Sequence, residues 1–431
     1  MRQIATFLTA YARARRFNRL RRRSEIERIA QRGLQDLQQF AARRSPFYQR
    51  YAGAPLHEWP IMNKPTWMGE FDRINTVGAK LDDLLPLALR AESTRDFSRS
   101  WRGHTVGLSS GTSGHRGLFL VSPRERVQWA ATLVARMLPY GLLSHERVAF
   151  VFRAGSPLYE SIGTLGVQFR FFDQANPWQE LATKVCLFRP TILVAQPQVL
   201  RLLTAAPDSL RPRRVVSVAE VLDELDRAQL EHRFGTQVEQ IYQATEGLLG
   251  TTCESGTIHL NEPYLIVEPD WLDRNRSRFI PIITDLWRRT QPVIRYRLND
   301  ILRTRSAPCP CGRAALAIEA IEGRSDDLLW LRDRSGAQVP VFSDLLTRVV
   351  MQRVPALQEY EIVEVDRGHW RVGLSPLPPD SVQGELVAGL ISLSESLGAE
   401  PPTLKIDSLI TPPTSAKRRR VRGLGATSCA S

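Results

Sequence analysis

The spacing of apolar positions changes several times along this chain, and each change predicts a different kind of structure. Over residues 1–45, Leu, Ile, Phe and Ala recur at helical intervals among Arg, Gln and Glu, the pattern of amphipathic helices. Ser45-Pro46-Phe47-Tyr48 interrupts it, and short surface-packed helices are expected around 60–64 and 71–76. Residues 118–121 read as a strand, and a helix begins near Pro123. Short apolar runs then fall at 147–152, 168–172, 191–195, 215–218 and 238–242, with helical segments such as 197–205 and 223–234 between them. That alternation predicts an α/β sheet with crossover helices. From 258 to 301 the pattern turns to short strands and turns, a β-rich subdomain. After Gly323-Arg324-Ser325-Asp326-Asp327 come a helix at 343–353, strands at 359–365 and 370–374, and a helix at 381–397, a compact α+β unit. The expected architecture is α/β, with a large N-terminal domain over 1–325 that carries a basic helical lead over 1–45. A small, mobile α+β C-terminal domain over 326–431 ends in a basic tail.

Composition narrows this picture. A chain of 431 residues exceeds one comfortable core, so two or more domains are expected, and 43% hydrophobic content is ordinary for a globular protein. No apolar run approaches a membrane span, and the short apolar patch at 4–12 has its arginines behind it, the reverse of a secretory signal. A soluble, cytoplasmic protein is expected. The net charge of +13 is concentrated at 13–23 and 417–422. Without interleaved aromatics or a nucleic-acid-binding motif, solvated helix faces explain it better than nucleic acid does.

Candidate chemistry begins at Leu108-Ser109-Ser110-Gly111-Thr112-Ser113-Gly114-His115-Arg116-Gly117, a run of glycines and hydroxyls between two apolar segments. Glycine lets successive amides turn toward one point, and Ser and Thr add short donors, so the run suits a polyanion such as nucleotide phosphates; a plain hairpin turn is the competing explanation. No Lys-Ser or Lys-Thr pair follows, so it is not a Walker loop. Gly107-Leu108-Ser109-Ser110-Gly111 also satisfies the G-x-S-x-G nucleophile elbow of hydrolases, but a strand rather than a helix is expected after it.

Four later segments matter in order. Tyr242-Gln243-Ala244-Thr245-Glu246-Gly247 ends a predicted strand, where a Thr hydroxyl and a Glu carboxylate could hold a phosphate and its magnesium. Pro292-Val293-Ile294-Arg295-Tyr296-Arg297-Leu298-Asn299-Asp300 ends in a carboxylate able to accept two ribose hydroxyls. Taken singly, Glu246 is also read as a solvated loop carboxylate and Asp300 as a turn cap. Gly323-Arg324-Ser325-Asp326 and Ser415-Ala416-Lys417-Arg418-Arg419-Arg420-Val421 follow.

With the glycine loop, this ordered set resembles the acyl-adenylate-forming superfamily, most nearly its phenylacetate–CoA ligase branch and the subgroup related to synthetases that adenylylate a deazaflavin coenzyme. Ser45-Pro46-Phe47-Tyr48, Pro60-Ile61-Met62-Asn63-Lys64 and Cys309-Pro310-Cys311-Gly312-Arg313 add to the likeness, which runs from about 45 to 422. The resemblance implies that Ser109, Ser110, Gly111, Thr112, Ser113, Gly114 and Arg116 hold the β- and γ-phosphates of ATP. Thr245 and Glu246 would meet the α-phosphate and Mg2+, and Asp300 and Arg324 the ribose. Asp326 would be the hinge, and Lys417 the lysine that reaches the acid and the α-phosphate. Tyr242, together with Glu220 in Ser217-Val218-Ala219-Glu220, would line the nucleotide site; that segment lacks the family's usual glycine pair, and His115-Arg116 stands where relatives often carry Lys-Pro. Lys417 stands out independently, since only about five of 58 basic residues are lysine.

Cys253, His259, Cys309 and Cys311 offer three thiols and an imidazole, a closed tetrahedral set for structural Zn2+, and similar placement occurs in the branch it resembles. Three reduced cysteines and a satisfied histidine are the alternative. Phe152, Arg153 and Tyr159 are expected to line the acid pocket, their aromatic character pointing to an aryl or unsaturated acid, or else to core packing. The expected activity is ATP-dependent adenylation of a small carboxylic acid, with transfer to the thiol of CoA or a carrier-protein phosphopantetheine. An adenylyltransferase acting on a hydroxyl is the alternative.

Overall fold

The computed structural model describes residues 2–94, 96–109, 117–138, 140–152, 167–174, 176–207, 209–324, 328–354, 357, 359–409 and 420–424. The chain divides into two compact units, Met1–Leu298 with Thr304–Ala320, and Asn299–Arg303 with Ile321–Ser431. The expected boundary at 325/326 lies outside the described residues. Among the described residues no helix is long and apolar enough to cross a membrane.

The first unit opens on two amphipathic helices, α1 (Arg2–Phe17) and α2 (Arg23–Arg44). Three shorter helices follow: α3 (Lys64–Gly69), α4 (Phe71–Ile74) and α5 (Leu81–Thr94). A small antiparallel sheet of β1 (Ser100–Trp101), β2 (His104–Leu108) and β3 (Leu118–Val121) comes next. A Cβ on Gly107 would lie 2.3 Å from the tip of the Phe119 ring across the hairpin, so any larger residue there would displace that ring. Ser122 and Glu125 form a capping box that starts α6 (Pro123–Met137), along which α1 packs.

The main sheet carries β4 (Arg147–Phe152), β5 (Gln168–Asp173), β6 (Ile192–Ala195), β7 (Arg214–Val218) and β8 (Val238–Ala244) in the parallel order β5-β4-β6-β7-β8. The chain lays β5 on one side of β4 and returns to lay β6 on the other, so β4 borders a topological switch point. Helices α7 (Trp178–Phe188), α8 (Pro197–Thr204) and α9 (Glu224–Phe234) supply one apolar layer with Leu193 and Val215 at its centre. Helix α6 supplies the opposite layer, over Phe150, Val194 and Val216. Burial on both faces is why these strands read as continuous apolar runs rather than alternating ones. Beyond β8 the sheet continues antiparallel through β9 (Gly247–Thr252) and β10 (Ile258–Leu260). The same sheet also carries an antiparallel ladder of β11 (Leu265–Trp271), β12 (Arg278–Asp285) and β13 (Tyr296–Arg297), the β-rich region expected from the sequence.

Strands β14 (Asp300–Thr304) and β15 (Ala317–Arg324) cross between the units. The second unit has its own core around Leu346, Tyr360, Trp370 and Leu390. A hairpin of β16 (Leu329–Arg332) and β17 (Gln338–Val341) precedes α10 (Ser343–Arg353). The expected strands and helix follow as β18 (Glu359–Asp366), β19 (His369–Ser375) and α11 (Asp380–Ser396). Two further strands, β20 (Thr403–Ser408) and β21 (Val421–Arg422), complete a sheet ordered β20-β19-β18-β21.

Candidate active site

Thr245 and Glu246 form the two-residue turn between β8 and β9, with Ala244 opposite Gly247 and a register shift at Tyr242/Gln243 beside them. A Thr-Glu pair has no intrinsic preference for so tight a hairpin, and neither residue takes a positive φ. Tertiary contacts hold the turn instead. One nitrogen of the buried Arg288 guanidinium donates to the carbonyls of Thr245 (3.2 Å) and Glu246 (3.4 Å). Asp285 fixes Arg288 from behind, its Oδ1 accepting the amides of Trp287 (2.8 Å) and Arg288 (3.1 Å). Glu125, at the start of α6, accepts the amides of Arg289 (2.6 Å) and Thr290 (2.9 Å) and the Thr290 hydroxyl (2.5 Å). Burial alone would push Glu125 up; Arg288, Ser122 and Thr290 outweigh it and hold the carboxyl below its ordinary range. A buried polar network therefore links α6 to the Thr245–Glu246 turn, and no local pattern marks it because its members lie far apart in the chain.

The Glu246 carboxyl is raised above the ordinary carboxylate range chiefly by burial, against the opposing hydrogen bond of Tyr296 and the charges of Lys64 and Arg288. Such a group favours an added cation, which would restore its ionised form. Tyr296, 3% exposed, is pushed up by burial and by Glu246 itself, so it stays a proton donor to that carboxylate.

Of the glycine loop, Ser109 and Gly117 are described; Ser110, Gly111, Thr112, Ser113, Gly114 and Arg116 lie outside the described residues. Ser109 closes the base twice, its amide donating to the Gly117 carbonyl (2.7 Å) and its hydroxyl accepting the Gly117 amide (2.8 Å). The flanking strands pair from Thr105↔Val121 to Leu108↔Leu118. The loop thus joins two strands of one hairpin, and α6 starts only at Pro123. A nucleophile elbow passes directly from strand to helix, so Ser109 is not on one.

Lys64, at the start of α3, had no role in the sequence reading beyond its place in Pro60-Ile61-Met62-Asn63-Lys64. A Cβ on Gly117 would stand 3.1 Å from its Cε and 4.0 Å from its Nζ. The ammonium thus lies beside the loop base, and its charge acts on the Glu246 carboxyl.

On the neighbouring strand, Glu220 follows β7 directly after Ala219, whose φ is +70°. The segment lacks the glycine pair but keeps a glycine-like backbone, at a cost of about 1–2 kcal/mol for an L-residue. Tyr242 is buried within β8. In the second unit, Arg324 Nε stands 3.8 Å from Asp300 Oδ1, so the structure brings those two expected ribose residues together. Lys417 and Asp326 lie outside the described residues, as do Arg153 and Tyr159; Phe152 ends β4.

The ligand atoms of Cys253, His259, Cys309 and Cys311 all lie within 4.8 Å of one another. Cys253 and Cys309 sulfurs are 3.6 Å apart, and Cys311 Sγ is 3.2 Å from His259 Nε2. Two thiolates at roughly 2.3 Å from a tetrahedral zinc would stand about 3.8 Å apart, near the spacing observed. His259 Nδ1 faces the Ala315 carbonyl at 2.8 Å, which turns Nε2 toward the sulfurs. Burial and the neighbouring sulfurs push the Cys311 thiol up to about 12. Three thiolates cannot share this point without a cation, and the donor set fits zinc.

No protein-family model matches the chain. It is 23% identical over 401 residues to a phenylacetate-coenzyme A ligase of Thermus thermophilus, across 84% of this chain and 87% of that one. A second phenylacetate-coenzyme A ligase, from Aromatoleum evansii, is 29% identical over 163 residues, 35% of either chain. Among solved structures, a 2-hydroxyisobutyryl-CoA ligase in its postadenylation state with 2-HIB-AMP superposes with a TM-score of 0.64 at 16% identity, covering 93% of this chain and 89% of its own. An anthranilate CoA ligase in complex with anthranoyl-AMP gives 0.51 at 13% identity, over 73% of this chain and 66% of its own. The chain has the fold of the acyl-adenylate-forming superfamily and, along most of its length, is similar in sequence to that superfamily's phenylacetate–CoA ligase branch.

Proposed function

We propose that this protein is an ATP-dependent acid–thiol ligase that activates a small carboxylic acid as its acyl-AMP and transfers the acyl group to coenzyme A. A carboxylate oxygen attacks the α-phosphorus of ATP, the bond from that phosphorus to the bridging oxygen breaks, and pyrophosphate leaves with the electron pair. The thiolate of CoA then attacks the acyl carbon and AMP departs, the thiol proton having passed to solvent. The observation that carries this proposal is the convergence, within the first unit, of the Ser109–Gly117 loop base and the Thr245–Glu246 turn beside one lysine. Two anions must meet in the first step, so the site has to supply positive charge and hold the reacting groups in line.

In this proposal the loop from Ser109 to Arg116 takes the β- and γ-phosphates, and Thr245 the α-phosphate. Tyr242 and Glu220 flank the base, and Asp300 and Arg324 take the ribose hydroxyls. Glu246 would hold Mg2+, which when bound neutralises phosphate charge. Lys417 would bring its ammonium to the carboxylate and α-phosphate, and Asp326 would let the C-terminal unit withdraw it before the thiol arrives. The acid would be aryl or unsaturated. A carrier-protein phosphopantetheine is the alternative acceptor; that the relative matching most of the chain is a coenzyme A ligase supports CoA. The four Cys and His ligands would hold a structural zinc.

The test is a panel including phenylacetate, benzoate and 2-hydroxyisobutyrate, read by ATP–pyrophosphate exchange. Exchange should depend on one class of acid and fall at least 100-fold in Lys417→Ala, while that variant still converts supplied acyl-AMP and CoA to thioester. Stable transfer of AMP to a phenol, with no acid-dependent exchange, would instead establish an adenylyltransferase.

A further inference from the structure

Lys64 is held by more of the fold than a surface lysine needs. The segment before it is stitched to the strand that carries Tyr296: the Met62 amide donates to the Arg295 carbonyl and the Arg297 amide to the Met62 carbonyl, both at 2.8 Å. The Arg295 guanidinium, paired with Glu268, also donates to the carbonyls of His57 and Trp59 at 2.7 Å. On the far side Asn63 caps α3 through the Thr66 amide at 3.0 Å. Met68 sulfur then accepts the amide of Leu118, the first residue of the strand leaving the glycine loop, at 3.3 Å. Trp67 packs edge-on against Tyr296, ring centroids 5.5 Å apart. Two independent ties therefore fix Lys64 between the loop base and the Tyr296–Glu246 pair.

Residue choice points the same way. Only five lysines occur among 58 basic residues, and Lys80, Lys184 and Lys405 pair with Asp72, Glu180 and Asp407 on the surface. Lys64 is half-buried, beside a buried glycine whose missing side chain leaves room for its stem. A compact ammonium on a flexible stem delivers a point charge where a planar guanidinium would need a wider slot. The glycine loop itself contains no lysine.

We propose that Lys64 is a phosphate-binding residue, its ammonium taking the β,γ-end of the nucleotide's triphosphate and the pyrophosphate that leaves. This assignment rests on the ligase function proposed above, and it gives the reaction a cation from the large unit, separate from Lys417. As negative charge builds on the departing pyrophosphate, a fixed ammonium stabilises it more than it stabilises bound ATP.

The experiment titrates purified wild type, Lys64→Met and Lys64→Arg with magnesium pyrophosphate and with AMP by calorimetry. It then measures ATP–pyrophosphate exchange and thioester formation from supplied phenylacetyl-AMP. Methionine keeps the aliphatic stem, so the fold should survive; matched melting curves verify that, and Lys64→Arg serves if Lys64→Met misfolds. Lys64→Met should weaken pyrophosphate at least tenfold, raise the KM for ATP, lower exchange, and leave AMP affinity and thioester formation within about twofold, with partial rescue by arginine. Equal weakening of AMP and pyrophosphate would mean that Lys64 only supports Glu246, and no weakening of either would remove it from the site; each outcome overturns the proposal. If wild type shows no acid-dependent exchange, the ligase function fails, while the pyrophosphate and AMP titrations still decide for or against Lys64.

Discussion

Asp285 ends β12 with its carboxyl enclosed, one oxygen holding two amides and the other beside Gly247, where a Cβ would come within 3.0 Å. Burial pushes its pKa up to about 6 although Arg288 and the two amides pull the other way. The unfolded carboxyl titrates near 3.8, so between about pH 4 and 6 the folded protein binds more protons than the unfolded one. Stability must therefore fall as pH rises through that window; the cost is absent below it and complete above it. Asp285→Asn keeps an acceptor for both amides and removes the titration. The melting temperature of wild type relative to this variant should drop between pH 4 and 6.5 and then level off. A difference constant across that range would show Asp285 ionised throughout.

Between elements, the informative connection is Arg288, which joins the start of α6, the end of β12 and the β8–β9 turn. Its neighbours Glu125 and Asp285 are both buried carboxylates. Removing the cation leaves them uncompensated, at a cost of about 3–5 kcal/mol. Arg288→Met should therefore lower the denaturant midpoint by that equivalent and abolish exchange, because the Thr245–Glu246 turn loses its brace. A variant with wild-type stability would make the network incidental. The same connection explains what could be read in advance. The parallel strands were legible because burial on both faces writes continuous apolar runs into the chain. The glycine loop and the Thr-Glu turn were legible because their composition is local. Arg288 and Lys64 were not, since Glu125 and Arg288 stand 163 positions apart and nothing local marks a residue whose partners arrive only by folding. Helix α5 was hidden for another reason: Pro86 lies inside it and interrupts the helical spacing. Beside Glu220 the missing glycine pair suggested an altered segment, whereas Ala219 keeps the left-handed backbone.

Across the first unit, the arginines of the N-terminal lead act as fasteners more than as a solvated face. The Arg13 guanidinium stacks over Trp287 at 3.9 Å, and Arg15 donates to the Leu138 carbonyl at 3.1 Å. Most of the remaining ties converge on the Cys/His cluster. The Ala314 amide donates to the Leu20 carbonyl at 3.0 Å, and the Arg21 guanidinium donates to the Cys311 carbonyl. Arg23 pairs at 2.5 Å with Glu262, which also accepts the Leu316 amide at 2.6 Å. Three thiolates around a divalent zinc would leave a net negative charge; the Arg313 amide donates to Cys311 Sγ at 3.5 Å, and the Arg21 guanidinium sits on the carbonyl of the same cysteine. Cys253 and His259 bracket the β9–β10 turn, and Cys309 and Cys311 sit just ahead of the segment on which Leu20 and Arg21 rest. Metal would therefore hold the platform that fastens the lead. Purified protein should carry about one zinc per chain, and a strong chelator should speed tryptic cleavage within 19–23 at least tenfold. Cys309→Ser should cleave at the fast rate without chelator. Because the Thr245–Glu246 turn is braced by Arg288 and not by these thiols, pyrophosphate binding should outlast the first loss of metal. Cleavage indifferent to chelation, or a fully folded zinc-free protein, would separate the cluster from the lead and leave the arginine contacts to fasten it alone.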